Sequence, residues 1–208
     1  MIFISNLINE SKTGSDKQET YRTLLSRHKL AMKHGFYFEA LLIDYAMLED
    51  RLVAFLWAAG VLNDADKFGL GNRRNKSQLR QLYTAYKGED KTPVLRNISA
   101  KADMILALIS FAEKDHCEDD RYLSSLYNGL RKLDLETLKG ALLALDTWRE
   151  YRNEVIHGAM TKNVYSLNDK LEENAAAGLA YARTIDNESK KLKRRTYIRR
   201  SVNMPVKK

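Results

Sequence analysis

An arginine, an asparagine and a histidine lie close together in the stretch Thr147–Gly158, which reads TWREYRNEVIHG. If this stretch is helical, Asn153 and His157 lie one turn apart on the same polar face, whereas Arg152 falls on the apolar face. A histidine can move a proton near neutral pH, and the planar guanidinium of an arginine can hold the charge of a phosphate. The three side chains therefore suit cleavage of a phosphodiester bond.

Spacing alone does not single out this combination of an arginine and a histidine. Three pairs have four to six residues between the two side chains: Arg22 and His28, Arg27 and His34, and Arg152 and His157. The surroundings distinguish the third pair, because Asn153 follows its arginine, Gly158 follows its histidine, and the stretch lies in a long amphipathic segment late in the chain. We therefore treat Arg152, Asn153 and His157 as the candidate catalytic residues.

The pattern Arg152-Asn153-x-x-x-His157 resembles the R-x(4–6)-H motif of the HEPN superfamily, in which the residue after the arginine is commonly asparagine. An early segment, FYFEALLIDYAMLEDRLVAFL, is similar to the first long helix of HEPN proteins. The resemblance covers roughly residues 36–60 and 135–185. It leaves residues 61–134 unassigned, as a candidate family-specific insertion.

Some HEPN families carry a Glu-x-x-x-Lys/Arg pattern on the early helix, and this chain has none between residues 36 and 60. The acids available there for a supporting role are Asp44, Glu49 and Asp50. The resemblance does not indicate which of the three takes it.

The resemblance implies a metal-independent endoribonuclease in a prokaryotic defence or toxin–antitoxin setting, where an antitoxin or another regulatory partner would fit. HEPN enzymes usually dimerise so that two motifs face one another across a cleft, which implies a homodimer. In the implied mechanism the ribose 2′-OH attacks the adjacent phosphate, and the products are a 2′,3′-cyclic phosphate and a 5′-OH. His157 would assist proton transfer, Arg152 would stabilise the charged phosphate, and Asn153 would orient the phosphate or His157. DNA, which lacks the 2′-OH, would not be cut.

Two other interpretations remain open. The chain is a non-catalytic HEPN-like module that binds RNA, a nucleotide or a protein partner, or it is a helical interaction protein unrelated to nucleic acid. In both interpretations a purely structural role of Arg152 and His157 is consistent with the sequence. Arg152 would then pair with an aspartate or glutamate across a bundle, and His157 would be a histidine at a helix end that is favourable to the helix dipole.

Helices are the elements that must position these residues. Apolar side chains recur at steps of three and four, as in Phe38, Leu41, Tyr45, Leu48, Leu52 and Phe55. The pattern predicts helices over residues 16–33, 36–59, 76–87, 98–112, 119–132, 135–160 and 163–187. No strand alternation of useful length is present. We expect an all-α, HEPN-like bundle of about six helices that forms one domain over residues 1–188.

The net charge of +8 comes entirely from the C-terminus. Residues 189–208 carry nine Lys/Arg and no acid, which leaves 26 bases against 27 acids in residues 1–188. We expect a basic C-terminal extension that either attracts RNA or serves only as a solvated terminus. Candidate RNA-contacting bases lie in this extension, in the loop 69–77 and beside the motif: Lys193, Arg194, Arg195, Arg73, Arg74 and Arg149.

Metal binding and membrane insertion are not predicted. Cys117 is the single cysteine, so the chain can form neither an internal disulfide nor a cysteine-rich zinc site. No apolar run reaches the roughly 20 residues of a bilayer-spanning helix. The start, MIFISNLINE, lacks the basic and apolar regions of a targeting segment. The sequence therefore predicts a cytoplasmic protein without a metal, a cofactor or a membrane partner.

Overall fold

The computed structural model describes residues 14–62, 69–70, 75–114, 120–158 and 170–203. In this part of the chain the backbone follows the helical period of the sequence. Within these ranges the chain is helical and contains no strand, which confirms the all-α prediction. The eight helices are α1 (Gly14–Lys33), α2 (Tyr37–Ala58), α3 (Lys76–Lys87), α4 (Ile98–Ala112), α5 (Arg121–Leu130), α6 (Leu135–Gly158), α7 (Leu171–Lys193) and α8 (Thr196–Asn203).

Side-chain caps fix the starts of the two middle helices. The Asn97 side chain accepts a hydrogen bond from the Ala100 N–H at the start of α4, and the Asp120 side chain accepts one from the Leu123 N–H at the start of α5. Each cap satisfies a backbone donor that has no partner inside its helix.

The centre of the bundle is formed by α2 and α7, which run parallel. Tyr37 near the start of α2 donates a hydrogen bond to Glu172 near the start of α7, and Arg51 later in α2 pairs with Asp186 later in α7. On its apolar face α2 buries Leu41, Leu48, Leu52 and Phe55 completely. Burial of each such side chain contributes about 1.5–3 kcal/mol to folding. Phe38, which the periodicity places on the same face, is 39% exposed.

The motif helix α6 runs antiparallel to α7. Its Trp148 indole N–H donates to the Asn174 carbonyl at the start of α7, at 2.7 Å. At the other end, the backbone N–H of Asp134, just before α6, donates to the Glu188 carboxylate at 3.0 Å. The predicted boundary at residue 160 and the predicted start of the next helix at 163 lie outside the described residues.

Gly178 allows α2, α6 and α7 to approach closely. A Cβ atom at this position would lie 2.8 Å from the Trp148 ring and 2.9 Å from both Cβ and Oδ2 of Asp44. Real Cβ contacts are essentially never this short, so only glycine fits without displacement of its neighbours. The contact holds the second half of α6 beside the middle of α2.

The middle of the chain belongs to the same apolar core. α4 packs on α2, α3, α5 and α6, and its Met104, Ile105 and Leu108 are completely buried. Residues 75–112, part of the segment that the resemblance leaves unassigned, therefore help to hold α2 and α6 in place.

The start of the basic extension is also folded into the bundle. α7 continues to Lys193, and α8 packs on α5 with Ile198 and Val202 buried. The Arg199 guanidinium stacks on Trp57 at 4.1 Å and donates to the backbone carbonyls of Trp57 and Leu62 at the end of α2. Residues 189–203 thus form helices attached to the bundle, and residue 188 does not mark a structural boundary.

None of the helices that the structure describes combines the length and the apolarity that a membrane crossing requires.

Candidate functional site

The Arg152 side chain lies half-buried between α6 and α2. Its guanidinium carbon is 3.9 Å from the centroid of the Tyr45 ring on α2, and its Nη1 donates to Asn153 Oδ1 at 3.0 Å. Its Nε is buried and has no hydrogen-bond partner among the described residues. The ring of Tyr45 therefore supports the guanidinium on one face, and the neighbouring amide fixes one edge.

The charge of Arg152 is not compensated by any carboxylate within the described residues. A cation over an aromatic ring is stabilised by about 0.5–2 kcal/mol, but the ring and the Asn153 amide are both neutral. Within the described part of the chain the guanidinium therefore has no acidic partner, and its planar fork carries further N–H donors besides the one that Asn153 accepts. These donors match the geometry of a phosphate.

His157 lies one turn beyond Asn153, in the last turn of α6, and its side chain is exposed. It makes no hydrogen bond or ion pair with another described residue. An exposed imidazole in the same helix, one turn and a half from a guanidinium, can move protons at a phosphate that the guanidinium holds.

The three acids considered for a supporting role have other partners. Glu49 pairs with the buried Lys101 at 2.7 Å, and Asp50 pairs with Lys17 and Arg51, both at 2.8 Å. Asp44 is completely buried, next to Tyr45 in the sequence and close to Gly178. Asp44 thus lies at the contact between α2, α6 and α7.

Asp44 forms a buried pair with His28 of α1. The His28 Nε2 lies 3.1 Å from one carboxylate oxygen and 3.3 Å from the other, while its Nδ1 is buried without a partner in the described structure. Burial raises the pKa of the Asp44 carboxyl, and the hydrogen bond and charge of His28 together with the charge of Arg183 oppose this shift. Sequence reasoning missed both His28 and Tyr45, because periodicity alone marks them only as inward-facing positions.

The other predicted RNA-contacting bases do not converge on Arg152. Arg149 donates to Asp146 Oδ1 through Nε and Nη2, at 3.2 and 3.1 Å, so its charge is already compensated. Lys193 and Arg194 are exposed and Arg195 is half-buried at the turn between α7 and α8. The remaining two candidates, Arg73 and Arg74, lie outside the described residues.

The start of α2 exposes an apolar row beside the motif. Phe38 and Leu42 are each 39% exposed, and they lie at i and i+4 of a helical row that reaches Tyr45 at i+7. Phe36, just before α2, is 61% exposed. Large apolar side chains grouped on a surface are typical of a protein interface.

A cleft of about 380 Å³ opens between α3, α4 and α6, but it lies apart from the motif. Apolar side chains such as Ile98, Leu106 and Leu142 line it, and Arg149 and Asp146 contribute polar groups. Neither Arg152 nor His157 lines this cleft.

Among the described residues, no three His, Cys, Asp or Glu side chains come together in a way that could hold a metal ion. Cys117 and His116 lie outside these residues.

Comparison of the chain with protein-family models, with curated proteins and with solved structures finds no match. The fold and the geometry around Arg152 therefore carry the functional argument.

Proposed function

We propose that the protein is a metal-independent endoribonuclease of the HEPN type, with Arg152, Asn153 and His157 as its catalytic residues. One observation carries this proposal. Among the described residues, the Arg152 guanidinium is held by Tyr45 and Asn153 without a carboxylate partner, and it lies within one turn and a half of His157, which is exposed and pairs with none of these residues. This combination supplies both a phosphate-binding cation and a proton carrier, which are the two requirements of cleavage without a metal.

In the proposed reaction the ribose 2′-oxygen forms a bond to the adjacent phosphorus, and the bond from phosphorus to the 5′-oxygen breaks. A base accepts the proton of the 2′-OH, and an acid returns a proton to the leaving 5′-oxygen. His157 performs one of these transfers, while the N–H groups of Arg152 bind the phosphate oxygens, whose negative charge increases in the transition state. The Asn153 amide oxygen accepts from Arg152, so its NH₂ group is the part that points a donor at the phosphate.

A homodimer would supply the second proton-transfer group. Each chain presents one His157, so two copies related by a twofold axis would provide one imidazole as the base and one as the acid. The exposed row of Phe38 and Leu42 beside the motif supplies apolar surface for such an interface. Cytoplasmic action in a defence or toxin–antitoxin setting, with an antitoxin as regulator, remains part of this proposal.

The second candidate function is a HEPN-like module that binds RNA, a nucleotide or a protein partner without cleaving it. One observation favours this function: neither Arg152 nor His157 lines the described cleft between α3, α4 and α6. A phosphate would then bind the guanidinium without reaction.

Cleavage of single-stranded RNA in EDTA separates the two functions. Wild-type protein is expected to cut, Arg152→Ala to lose roughly 100- to 1000-fold in rate, and His157→Ala roughly 100-fold or more. Arg27→Ala and His34→Ala are suitable controls, because this exposed pair also fits the bare R-x(4–6)-H pattern and should retain wild-type rates. RNA binding without cleavage that weakens in Arg152→Ala would instead establish the binding module.

A further inference from the structure

A second cationic surface lies at the corner where α5 meets the turn between α7 and α8. We name it the basic corner, and it consists of Arg131, Lys132, Lys193, Arg194, Arg195 and Arg200. Five of the six are exposed, and Arg195 is half-buried. Neither contributing stretch, residues 121–133 or residues 189–203, contains an aspartate or a glutamate.

A glycine brings these two stretches together. A Cβ atom at Gly129, near the end of α5, would lie 2.5 Å from Cδ1 of Ile198 and 3.4 Å from Cδ1 of Leu192. The end of α5 therefore lies directly against the turn that joins α7 to α8. Arg131 and Lys132 follow Gly129 within one helical turn, so their charges lie beside those of Lys193 and Arg194.

The charges of the basic corner are not neutralised within the described structure. The nearby acids have other roles, since Glu188 pairs with Lys191 and the Asp134 carboxylate accepts the Thr137 N–H at the start of α6. Arg131 contacts the neutral Tyr127, to whose hydroxyl it donates at 2.9 Å. Lys132, Lys193, Arg194 and Arg200 make no ion pair with a described residue. The six cations of this corner, none of which forms an ion pair with a described residue, produce a positive field that attracts polyanions.

We infer that the basic corner binds the phosphates of single-stranded nucleic acid, at a site separate from Arg152. An anionic membrane is the less favoured polyanion, because α8 turns its aliphatic side chains Ile198 and Val202 into the bundle. Tyr197 is 39% exposed on the outer side of α8, one turn from Arg200. An exposed aromatic ring among cations is the arrangement on which bases stack.

The basic corner lies at the opposite end of α7 from the motif. Trp148, one turn before Arg152, contacts Asn174, and the distance along α7 from Asn174 to Lys193 is about 28 Å at the helical rise. One phosphate therefore cannot contact both sites of a chain. Binding at the basic corner requires only the phosphate backbone, so DNA should bind there as well as RNA. This binding does not depend on the proposed ribonuclease chemistry.

Fluorescence anisotropy with labelled oligothymidylate of roughly 16 nucleotides tests this inference, because DNA without a 2′-OH is bound but not cut. The triple variant Lys132→Ala, Lys193→Ala, Arg194→Ala is compared with the control triple Lys29→Ala, Lys33→Ala, Lys91→Ala. Both triples remove three exposed positive charges. Circular dichroism melting verifies that both are folded.

The corner triple is expected to weaken binding roughly tenfold or more and to reduce the slope of log affinity against log salt by about 2. The control triple should bind as wild type does. Equal effects of the two triples, or no binding by the wild type, would overturn the inference. The inference would also be overturned if the corner triple lost binding to phosphatidylserine vesicles but bound the oligonucleotide as wild type does. RNA cleavage measured on the same variants reports separately on the Arg152 site.

Discussion

The guanidinium carbon of Arg152 lies 3.9 Å from the centroid of the Tyr45 ring, which places a cation of α6 flat on an aromatic side chain of α2. Tyr45 does not touch the phosphate in the proposed reaction, so it is a positioning residue. The Tyr45 ring holds the guanidinium without neutralising its charge. An acidic partner in the same place would neutralise it. The four predictions that follow concern this contact, the buried pair behind it, and the packing that supports both.

Removal of the Tyr45 ring should reduce RNA cleavage without abolishing it. Tyr45→Ala is expected to lose roughly 2- to 30-fold in rate, which corresponds to about 0.5–2 kcal/mol for the cation–π contact. Tyr45→Phe keeps the ring and should retain the wild-type rate, as initial rates on one RNA substrate would show. An equal loss in both variants would mean that the hydroxyl group, and not the ring, matters to the site.

The stability of the fold should respond to the protonation of Asp44. Burial raises the pKa of this carboxyl above its ordinary value of 3.8, so folding favours the protonated form. The stability contributed by this group is therefore fully present below about pH 4 and is lost as the pH rises through the raised pKa. The groups that face it, His28 and Arg183, oppose the shift. Asp44→Asn removes the titration, so its Tm relative to wild type should rise between about pH 4 and about pH 7.

Asp90→Asn is a suitable control, because Asp90 is exposed and pairs with Arg80 on the surface. Its difference in Tm from wild type should be small and independent of pH. If Asp44→Asn became progressively less stable than wild type as the pH rose, the ionised pair with His28 would be the stabilising form, contrary to this account.

Gly178 and Gly140 form a matched pair for testing how closely α2, α6 and α7 pack. A methyl group at Gly178 would collide with Trp148 and Asp44, so Gly178→Ala should destabilise the protein by about 1–3 kcal/mol. A Cβ at Gly140, within α6, has nothing within 4 Å. Gly140→Ala should therefore stabilise by about 0.5–1 kcal/mol through helix propensity. Urea denaturation measures both, and similar effects of the two substitutions would show that the packing at Gly178 is loose.

Arg199 should contribute to the stability of the fold rather than to binding. Its donors satisfy two carbonyls at the end of α2, and hydrogen bonds from a charged group contribute about 1.5–3 kcal/mol. Arg199→Ala should lower the free energy of unfolding by an amount in this range. Its neighbour Arg200 is exposed, so Arg200→Ala should change stability by no more than about 0.5 kcal/mol. Equal thermal stability of both variants would contradict an anchoring role for α8.

Local signals were sufficient to predict most of the helices. The segments 76–87 and 98–112 coincide with α3 and α4, because apolar side chains recur in them at helical steps. Helical periodicity also predicted that Arg152 borders the apolar face of α6. It could not identify Tyr45 as the partner, since a periodic pattern indicates which face is buried but not which residue of another helix meets it.

The basic extension shows a different limit of sequence reasoning. Its charge suggested a solvated or polyanion-binding terminus, yet Leu192, Ile198 and Val202 anchor it to the bundle. Ile198 and Val202 have helical i, i+4 spacing, which was the available signal. The abundance of lysine and arginine around them obscured it. The same bases contribute to two separate features, with Arg199 as an anchor and Arg194 in the basic corner.

The chemical identity of the RNA ends is the most direct test of the central claim, that Arg152 and His157 cleave RNA without a metal. Wild-type protein in EDTA should produce a 2′,3′-cyclic phosphate and a 5′-OH, and an RNA with 2′-deoxyribose at the cleaved position should resist. Arg152→Ala and His157→Ala should yield neither product at the wild-type rate. Products with a 5′-phosphate and a 3′-OH, or undiminished cleavage by both variants, would contradict the account.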